Sequence, residues 1–239
     1  MPARKILLNG WGWLKTSTAD GCPRAPAAFV KQVTVGHQDR RNRLRRHSVM
    51  NRTRTIVVAF STLDGIIQDP AGSDGTPAGG WVFRNGPEAV AGDRFKLGAA
   101  LDSGVLVLGR RTWEQFAQIF PSRTGEFDAA MNRIPKLVAS RTLTDLSAFP
   151  NSSLMDGDLA QAVEKQKTER DVIVMGSASV VHALAKRDLV DEYRILFFST
   201  ALGAGTRLFA AEATPAHFRL ASAETSGQEI LARYERPDS

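Results

Sequence analysis

Glycine, serine and arginine residues follow directly after short apolar runs at several places in this 239-residue sequence. The run Val-Ile-Val-Met at 172–175 ends at Gly-Ser-Ala-Ser at 176–179, and apolar residues then recur at helical spacing. Two earlier runs end at Gly-Arg-Arg-Thr at 109–112 and at Ser-Arg at 140–141. Free backbone N–H groups at a helix start attract anions, and arginine binds phosphate through forked hydrogen bonds. Together these residues predict a site for a phosphorylated ligand, in particular a dinucleotide.

Each of these signals also has an ordinary structural interpretation. Serine after a strand is a preferred helix N-cap residue, and Arg110 and Arg111 taken alone are typical of a solvated helix start. The prediction depends on their occurrence at successive strand ends. In an open α/β sheet, ligands bind outside the carboxyl ends of the strands, so these residues are expected to meet.

The elements that position these residues are regular from Arg54 onward. Apolar or alternating segments predict strands over 54–61, 104–109, 135–140, 171–176, 191–199, 217–224 and 228–235. Helical spacing predicts helices over 87–101, 111–119, 158–168 and 178–187. This alternation indicates a mixed, mostly parallel sheet flanked by helices, and the two closely spaced last strands predict an antiparallel hairpin. The Gly-, Pro- and Asp-rich segment 68–80 predicts a long loop.

The net charge of +6 is concentrated at the start of the chain. Residues 1–50 contain ten Lys or Arg and two Asp, whereas residues 51–239 carry a net charge of −2. We therefore divide the chain into a basic leader, 1–49, interpreted as a disordered or non-native extension, and one domain, 50–239. The alternative for the leader is an arm that binds nucleic acid. No other part of the sequence favours nucleic acid.

Several classes of protein are not indicated. The single cysteine, Cys22, forms no intramolecular disulfide or Cys-based zinc cluster and is compatible with a cytoplasmic location. The four histidines lack metal-ligand spacing, so no metal is predicted, and no apolar run is long enough for a membrane span. A phosphate-binding loop with Gly-Lys-Ser/Thr and a Gly-x-Ser-x-Gly elbow are both absent. A nucleotide site without a nucleophile or metal suits hydride transfer, in which the cofactor supplies the chemistry.

Four stretches carry a resemblance to a known family. VLVLGRRTWEQF (105–116) resembles the strand–Gly-Arg-x-Thr-Trp–helix element of the dihydrofolate reductase superfamily, and KLVASRTL (136–143) resembles its next strand. The stretch 172–209 is similar to one branch, the riboflavin-biosynthesis reductase domain and its stand-alone relatives, as is FSTLDGII (60–67) with its Ser-x-x-Asp-Gly ending. The likeness spans 54–235 in the family order. Two departures are Gly176-Ser177 in place of Gly-Gly and a leader too short for a deaminase domain, so a complete riboflavin-pathway enzyme is not expected.

The resemblance implies NADPH as the cofactor and assigns its contacts. The expected contacts are Gly109, Arg110, Arg111 and Thr112 to phosphates near the adenosine, Ser140 and Arg141 to the ribose and its 2′-phosphate, and Gly176, Ser177, Ala178, Ser179 and Val180 to the pyrophosphate. Asp64 and Gly65 are expected where nicotinamide meets the substrate, with Asp64 as the catalytic residue that bonds a pterin- or pyrimidine-like ring. Trp81 and Phe209 are expected to wall the substrate pocket. The alternatives are an ordinary turn aspartate and ordinary core aromatics.

The function that follows is reduction of a small heterocyclic substrate by NADPH, similar to that of 5-amino-6-(5-phosphoribosylamino)uracil reductase. The alternative is a non-catalytic nucleotide- or flavin-binding protein on the same fold. The family branch commonly forms homodimers, and the aromatic strand 191–199, with Tyr193, Phe197 and Phe198, suggests apolar surface for such a contact.

Overall fold

The fold is built on one eight-stranded sheet. The computed structural model describes residues 53–211 and 213–237, so the basic leader and Cys22 lie outside the described residues. The strands are β1 (Thr55–Thr62), β2 (Val105–Gly109), β3 (Lys136–Ala139), β4 (Ser152–Leu154), β5 (Val172–Val174), β6 (Glu192–Phe198), β7 (Arg219–Ser226) and β8 (Glu229–Glu235). Their order across the sheet is β4-β3-β2-β5-β1-β6-β8-β7.

Strand direction follows the prediction. The first six strands in this order, β4-β3-β2-β5-β1-β6, pair in parallel with their neighbours. Strand β8 pairs antiparallel with both β6 and β7. The mixed, mostly parallel sheet and the terminal hairpin are therefore confirmed. The three-residue edge strand β4 was not predicted, because Ser-Ser-Leu is short, largely exposed and without an apolar period.

The helices are α1 (Ala99–Ser103), α2 (Arg110–Ile119), α3 (Glu126–Arg133), α4 (Leu159–Lys167) and α5 (Ala178–Lys186). The predictions at 111–119, 158–168 and 178–187 are confirmed as α2, α4 and α5. The continuous helix predicted over 87–101 is wrong. That region holds a single 3-10 turn, Pro87–Val90, and α1, separated by backbone with positive φ at Gly92, Lys96 and Gly98. A right-handed helix cannot pass through these left-handed positions.

Apolar side chains fill a layer on each side of the sheet. Ile56, Leu106 and Ile173 point into one layer, together with Trp81 and Phe149. The other layer contains valines of β1, β2 and β5 packed against α4 and α5. Alternate residues of each buried strand point to opposite layers, as strand geometry requires. The central strands are therefore covered on both sides, and their carboxyl ends are held in fixed positions.

The aromatic residues of β6 do not provide the surface expected of them. Tyr193 and Phe198 are buried, at 3% and 1% exposure, and Phe197 is only partly exposed. The exposed apolar side chains in this region are Leu220 on β7 and Ile230 on β8, each about half exposed. Both lie on the same side of the sheet as Phe197, because Ile230 is directly opposite Phe197 and Leu220 is opposite Tyr234.

A charged cluster lies at the amino end of β6, far from the strand ends where ligands are expected. We define it by Arg54, Glu192, Arg194, Arg233 and Glu235. The fully buried carboxylate of Glu192 accepts hydrogen bonds from Arg194 Nε at 2.6 Å and Arg233 Nε at 2.7 Å, and Arg54 also contacts it. Arg194 donates in addition to the carbonyl of Phe95, which ties the segment before α1 to the sheet.

The loop predicted over 68–80 contains no helix or strand. Its centre is the buried carboxylate of Asp69, which accepts hydrogen bonds from the Asp74 amide at 2.9 Å and from the amide and hydroxyl of Thr76 at 2.9 and 2.7 Å. The loop is therefore ordered around one acidic side chain. Within the described ranges, no helix has the length and apolar character needed to cross a membrane.

Candidate functional site

Three of the predicted segments meet at one cleft beyond the carboxyl ends of β2, β3 and β5. This strand-end cleft has a volume of about 290 Å³. Its lining residues are Gly109, Arg110, Arg111, Ala139, Ser140, Arg141, Thr142, Ser177, Ser179 and Val180. The expected meeting of the residues after these strands is therefore seen in the structure. This volume lies just below the range of about 300–1,000 Å³ that is usual for ligand pockets.

Glycine is required where β2 and the turn after β5 approach each other. The Gly109 amide donates to the carbonyl of Gly176 at 2.9 Å. A Cβ atom at position 109 would lie 2.2 Å from Ser177 Oγ and 3.0 Å from its amide nitrogen. Gly176 has a φ of +112°, and a Cβ there would lie 3.1 Å from Thr112 Oγ1. The Gly176–Ser177 peptide bond is cis.

The first turn of α5 presents donors to the cleft. Ser177 occupies the N-cap position, but its side chain makes no capping bond and instead lies 3.1 Å from the hydroxyl of Ser179. The amides of Ala178 and Ser179 have no acceptor in the part of the chain that the structure describes. Ser177 is thus the N-cap by position, as the alternative had it, but its hydroxyl does not cap the helix. The N–H groups of Ala178 and Ser179 therefore remain available to bind an anion.

The three arginines differ in how they are held. Arg110 forms an ion pair with Glu114, one turn later on α2, at 2.9 Å. Arg111 and Arg141 are exposed and form no ion pair within 53–211 and 213–237. Ser140 Oγ accepts hydrogen bonds from the amides of Thr142 and Leu143, which fixes the turn that carries Arg141. Among the described residues that line the cleft, Arg111 and Arg141 are therefore the arginines whose whole guanidinium group is available to a phosphate.

Asp64 and Gly65 form a turn at the end of β1, outside the residues that line the cleft. The Asp64 carboxylate accepts hydrogen bonds from Thr62 Oγ1 at 2.6 Å, the Gly203 amide at 2.7 Å and the Leu202 amide at 3.2 Å. The bonds from Thr62 and Gly203 lower the pKa of Asp64 to about 2. The group is therefore an ionised turn residue, and its contact with a substrate stays a prediction.

Trp81 and Phe209 do not face a common pocket. Trp81 has no exposed surface, donates from its ring to the carbonyl of Gln68 at 2.9 Å and packs edge-on against Phe198. Phe209 is half exposed and packs against Tyr193 on the opposite side of the sheet. Trp81 therefore lies in the core, which agrees with the alternative that it is an ordinary core aromatic residue. A contact of either ring with substrate stays a prediction.

Sequence reasoning missed the contacts that join distant segments near Asp64. His182 Nε2 lies 2.9 Å from the carbonyl of Arg207, and the Arg207 guanidinium donates to the carbonyl of Asp64. Gln68 Oε1 accepts from the Thr206 amide at 2.8 Å. No local signal marks these residues, because their partners are more than twenty positions away. Among the described residues, no group of three His, Cys, Asp or Glu is placed to hold a metal ion.

Comparison with known proteins supports the fold and shows the family. A family model described as the RibD C-terminal domain matches residues 54–232. A putative riboflavin biosynthesis protein from Shewanella sp. PV-4 has a similar structure, with a TM-score of 0.60 and 21% identity over 78% of this chain and 100% of that one. No match was found among curated proteins.

Two further solved structures share the fold. One is a diaminohydroxyphosphoribosylaminopyrimidine deaminase/5-amino-6-(5-phosphoribosylamino)uracil reductase from Thermotoga maritima, with a TM-score of 0.52 and 16% identity over 78% of this chain and 57% of that one. The other is a pyrimidine reductase-like protein from Corynebacterium diphtheriae, with a TM-score of 0.55 and 11% identity over 80% of this chain and 95% of that one. At these identities the likeness shows the fold alone.

Proposed function

Because the chain belongs to the family of the RibD C-terminal domain, a family of riboflavin-pathway reductases, we propose that it is an NADPH-dependent reductase. Its substrate would be a small heterocycle of the pterin or aminopyrimidine type. The observation that carries the proposal is the strand-end cleft, which is lined by Ser179, Arg111 and Arg141. Among the described residues, the Ser179 amide has no acceptor and the two arginines have no acidic partner. Donors of both kinds are what a phosphorylated dinucleotide requires.

The residues present fit such a cofactor. The amides of Ala178 and Ser179 would hold the pyrophosphate, and the absence of side chains at Gly109 and Gly176 lets the backbone of β2 and the α5 turn meet there. Arg111 and Arg141 would hold the 2′-phosphate. When bound, NADPH supplies the hydride. The protein then contributes binding, orientation and exclusion of water, which are the ordinary tasks of a protein around a cofactor.

We expect NADPH to bind more tightly than NADH. A charge-assisted hydrogen bond contributes about 1.5–3 kcal/mol, so Arg141→Ala and Arg111→Ala should each weaken NADPH binding about 10- to 100-fold and leave NADH binding nearly unchanged. Arg110→Ala is the comparison, because the Arg110 guanidinium is paired with Glu114 and should contribute less to NADPH binding than either unpaired arginine. Isothermal titration calorimetry measures both cofactors against all four proteins. Equal wild-type affinities for NADPH and NADH would refute the proposed preference.

Turnover separates a reductase from a nucleotide-binding protein without activity. NADPH oxidation is followed with a panel of pterins and aminouracils, and oxidation that depends on one of them supports the proposal. Tight NADPH binding without oxidation by any member favours the non-catalytic alternative. Quenching of flavin fluorescence by the protein, with no binding of NADPH, would instead favour a flavin-binding protein.

We also propose that the protein is a homodimer in a cytoplasmic location. Leu220, Ile230 and Phe209 are each about half exposed on one side of the β6-β8-β7 end of the sheet. Burial of apolar surface of this kind favours association. Light scattering of the protein from Met50 onward should give twice the monomer mass, and Ile230→Asp should lower it. A monomer at micromolar concentration would contradict the proposal.

A further inference from the structure

The turn that contains Asp64 is bonded along its length to a second turn, from Thr200 to Leu208. We call 62–68 and 200–208 the paired turns. Backbone hydrogen bonds join Leu63 to Thr200 at 2.8 Å, Ile67 to Thr206 at 2.9 Å and Leu208 to Gly65 at 2.9 Å. These bonds place the Gly-x-Gly segment of the second turn directly at the end of β1.

Within the paired turns, the Asp64 carboxylate holds the start of the second turn. Oδ1 accepts a hydrogen bond from Thr62 Oγ1, Oδ2 accepts one from the Gly203 amide, and the Leu202 amide is shared between the two oxygens. No other side chain in the described residues accepts from these two amides. An ionised acceptor makes such bonds stronger than a neutral one, so Asp64 is the main side-chain constraint at this position.

The paired turns are connected to the helix that lines the strand-end cleft. His182 on α5 contacts the carbonyl of Arg207, and the Arg207 side chain reaches back to the carbonyl of Asp64. The first turn of α5 lies one turn before His182 and presents its amides to the cleft. The paired turns are therefore joined through His182 to the helix proposed to bind the pyrophosphate, and they present Leu63, which is 67% exposed.

We propose that Asp64 is a positioning residue for the reaction, which fixes the second turn beside the ligand, and that it does not donate the proton. The proposal rests on the proposed reductase function. Reduction adds a hydride from the cofactor to a carbon of a C=N or C=O bond, the electron pair of that bond moves to the heteroatom, and the heteroatom takes up one proton. In this assignment the Asp64 carboxylate, whose two oxygens both accept hydrogen bonds from fixed donors, carries no proton to give, and water supplies the proton.

The ionisation of Asp64 agrees with this assignment. Hydrogen bonds from Thr62 and Gly203 lower its pKa to about 2, so the group stays charged throughout the neutral range. A general acid needs a pKa near the working pH. The pH dependence of turnover between pH 5 and 9 should therefore contain no step due to Asp64.

The test compares Asp64→Asn with Asp69→Asn. Both aspartates lie in the region after β1, and each accepts three hydrogen bonds, but Asp69 holds only the loop 69–80. Asparagine at 64 places an NH₂ group against the amides of Leu202 and Gly203. A misplacement of about 1 Å costs roughly 100-fold in rate, so we expect kcat/KM for the best substrate to fall about 10- to 100-fold in Asp64→Asn. The affinity for NADPH should change much less, because the residues that line the strand-end cleft are untouched.

Two results would overturn the proposal. One is an Asp64→Asn protein with the same kcat/KM as Asp69→Asn. The other is a wild-type pH profile whose alkaline limb disappears in Asp64→Asn, which identifies Asp64 as the proton donor. Hydrogen exchange of the Gly203 amide provides a test independent of turnover, since it should accelerate in Asp64→Asn and not in Asp69→Asn. If no substrate is reduced by the wild type, the proposed function fails, while hydrogen exchange still decides whether Asp64 holds the second turn.

Discussion

Replacing Gly176 with valine should weaken NADPH binding by at least about 100-fold, because the loss of two charge-assisted phosphate bonds, each worth about 1.5–3 kcal/mol, removes about 3 kcal/mol or more. Gly176 has a φ of +112°, and a Cβ there would lie 3.1 Å from Thr112 Oγ1. Valine therefore displaces the turn from α2 and moves the α5 amides away from the cleft. The position lies beyond the end of β5 and outside both core layers, so the sheet itself should fold.

Backbone strain must be separated from loss of the site. A β-branched residue at positive φ costs on the order of 1–3 kcal/mol wherever it occurs. Gly98→Val is the matched control, because Gly98 has a φ of +48°, a Cβ there meets no atom within 4 Å, and the residue does not line the cleft. Both variants should have a lower melting temperature than the wild type, but only Gly176→Val should show weaker NADPH binding by calorimetry. Ser177→Ala should bind slightly less tightly, since the amides remain.

A Gly176→Val protein that binds NADPH normally would contradict the assignment. The turn after β5 would then serve only to begin α5, and the strand-end cleft would not be a cofactor site. The same experiment therefore tests the prediction on which the proposed function depends, that a glycine at the end of β5 allows a phosphate to approach the backbone.

The strand-end cleft was predictable because it depends on local patterns and one topological rule. Each short apolar run is a buried parallel strand, and parallel strands end at one edge of the sheet, so Arg111, Ser140 and Ser177 had to approach one another. In the sequence, Glu114 lies four residues after Arg110 and three after Arg111, and either spacing allows an ion pair on a helix. Only the structure shows that the first is paired with Glu114 and the second is not.

Failures of prediction arose where backbone conformation or distant partners decide the outcome. The pattern over 87–101 has enough apolar residues for a helix, but Gly92 and Gly98 adopt positive φ and interrupt it. Tyr193 and Phe198 were expected at the surface but are buried. The aromatic residues that pack against them are distant in the sequence, so no local pattern indicates their burial. The bonds from Leu202 and Gly203 to Asp64 join residues almost 140 positions apart, which no periodicity reports.

Stability should depend most strongly on the end of the sheet opposite the cleft. Glu192→Gln is expected to lower the free energy of unfolding by about 3 kcal/mol, because removing one partner of a buried ion pair leaves the other uncompensated. The Glu192 side chain is fully buried and its partner Arg194 is 8% exposed, so Arg194 would lose its charge partner within the core. For a domain of this size the melting temperature should fall by roughly 6–12 °C.

The dependence of this effect on pH follows from the pKa of Glu192. Burial raises the pKa of this carboxyl, but the hydrogen bond from Arg233 and the charges of Arg194 and Arg54 outweigh burial and hold the pKa below its usual value of 4.5. A carboxyl with a depressed pKa in the folded state contributes stability above its unfolded pKa and loses it as the pH falls through the folded pKa. The difference between wild type and Glu192→Gln should therefore be constant from pH 6 to 8 and shrink below about pH 4.5.

Glu235→Gln is the control for the charged cluster. Its carboxylate also contacts Arg54 and Arg233, but its side chain is 22% exposed, and exposed ion pairs contribute less than about 1 kcal/mol. Urea unfolding at pH 7 and pH 4 measures both variants, with NADPH affinity measured in parallel. We expect Glu192→Gln to bind NADPH as the wild type does, since the cluster lies at the amino end of β6. Equal destabilisation by the two substitutions would show that burial of Glu192 does not determine how much the charged cluster contributes to the free energy of unfolding. A loss of NADPH affinity in Glu192→Gln would show that the two ends of the sheet are coupled.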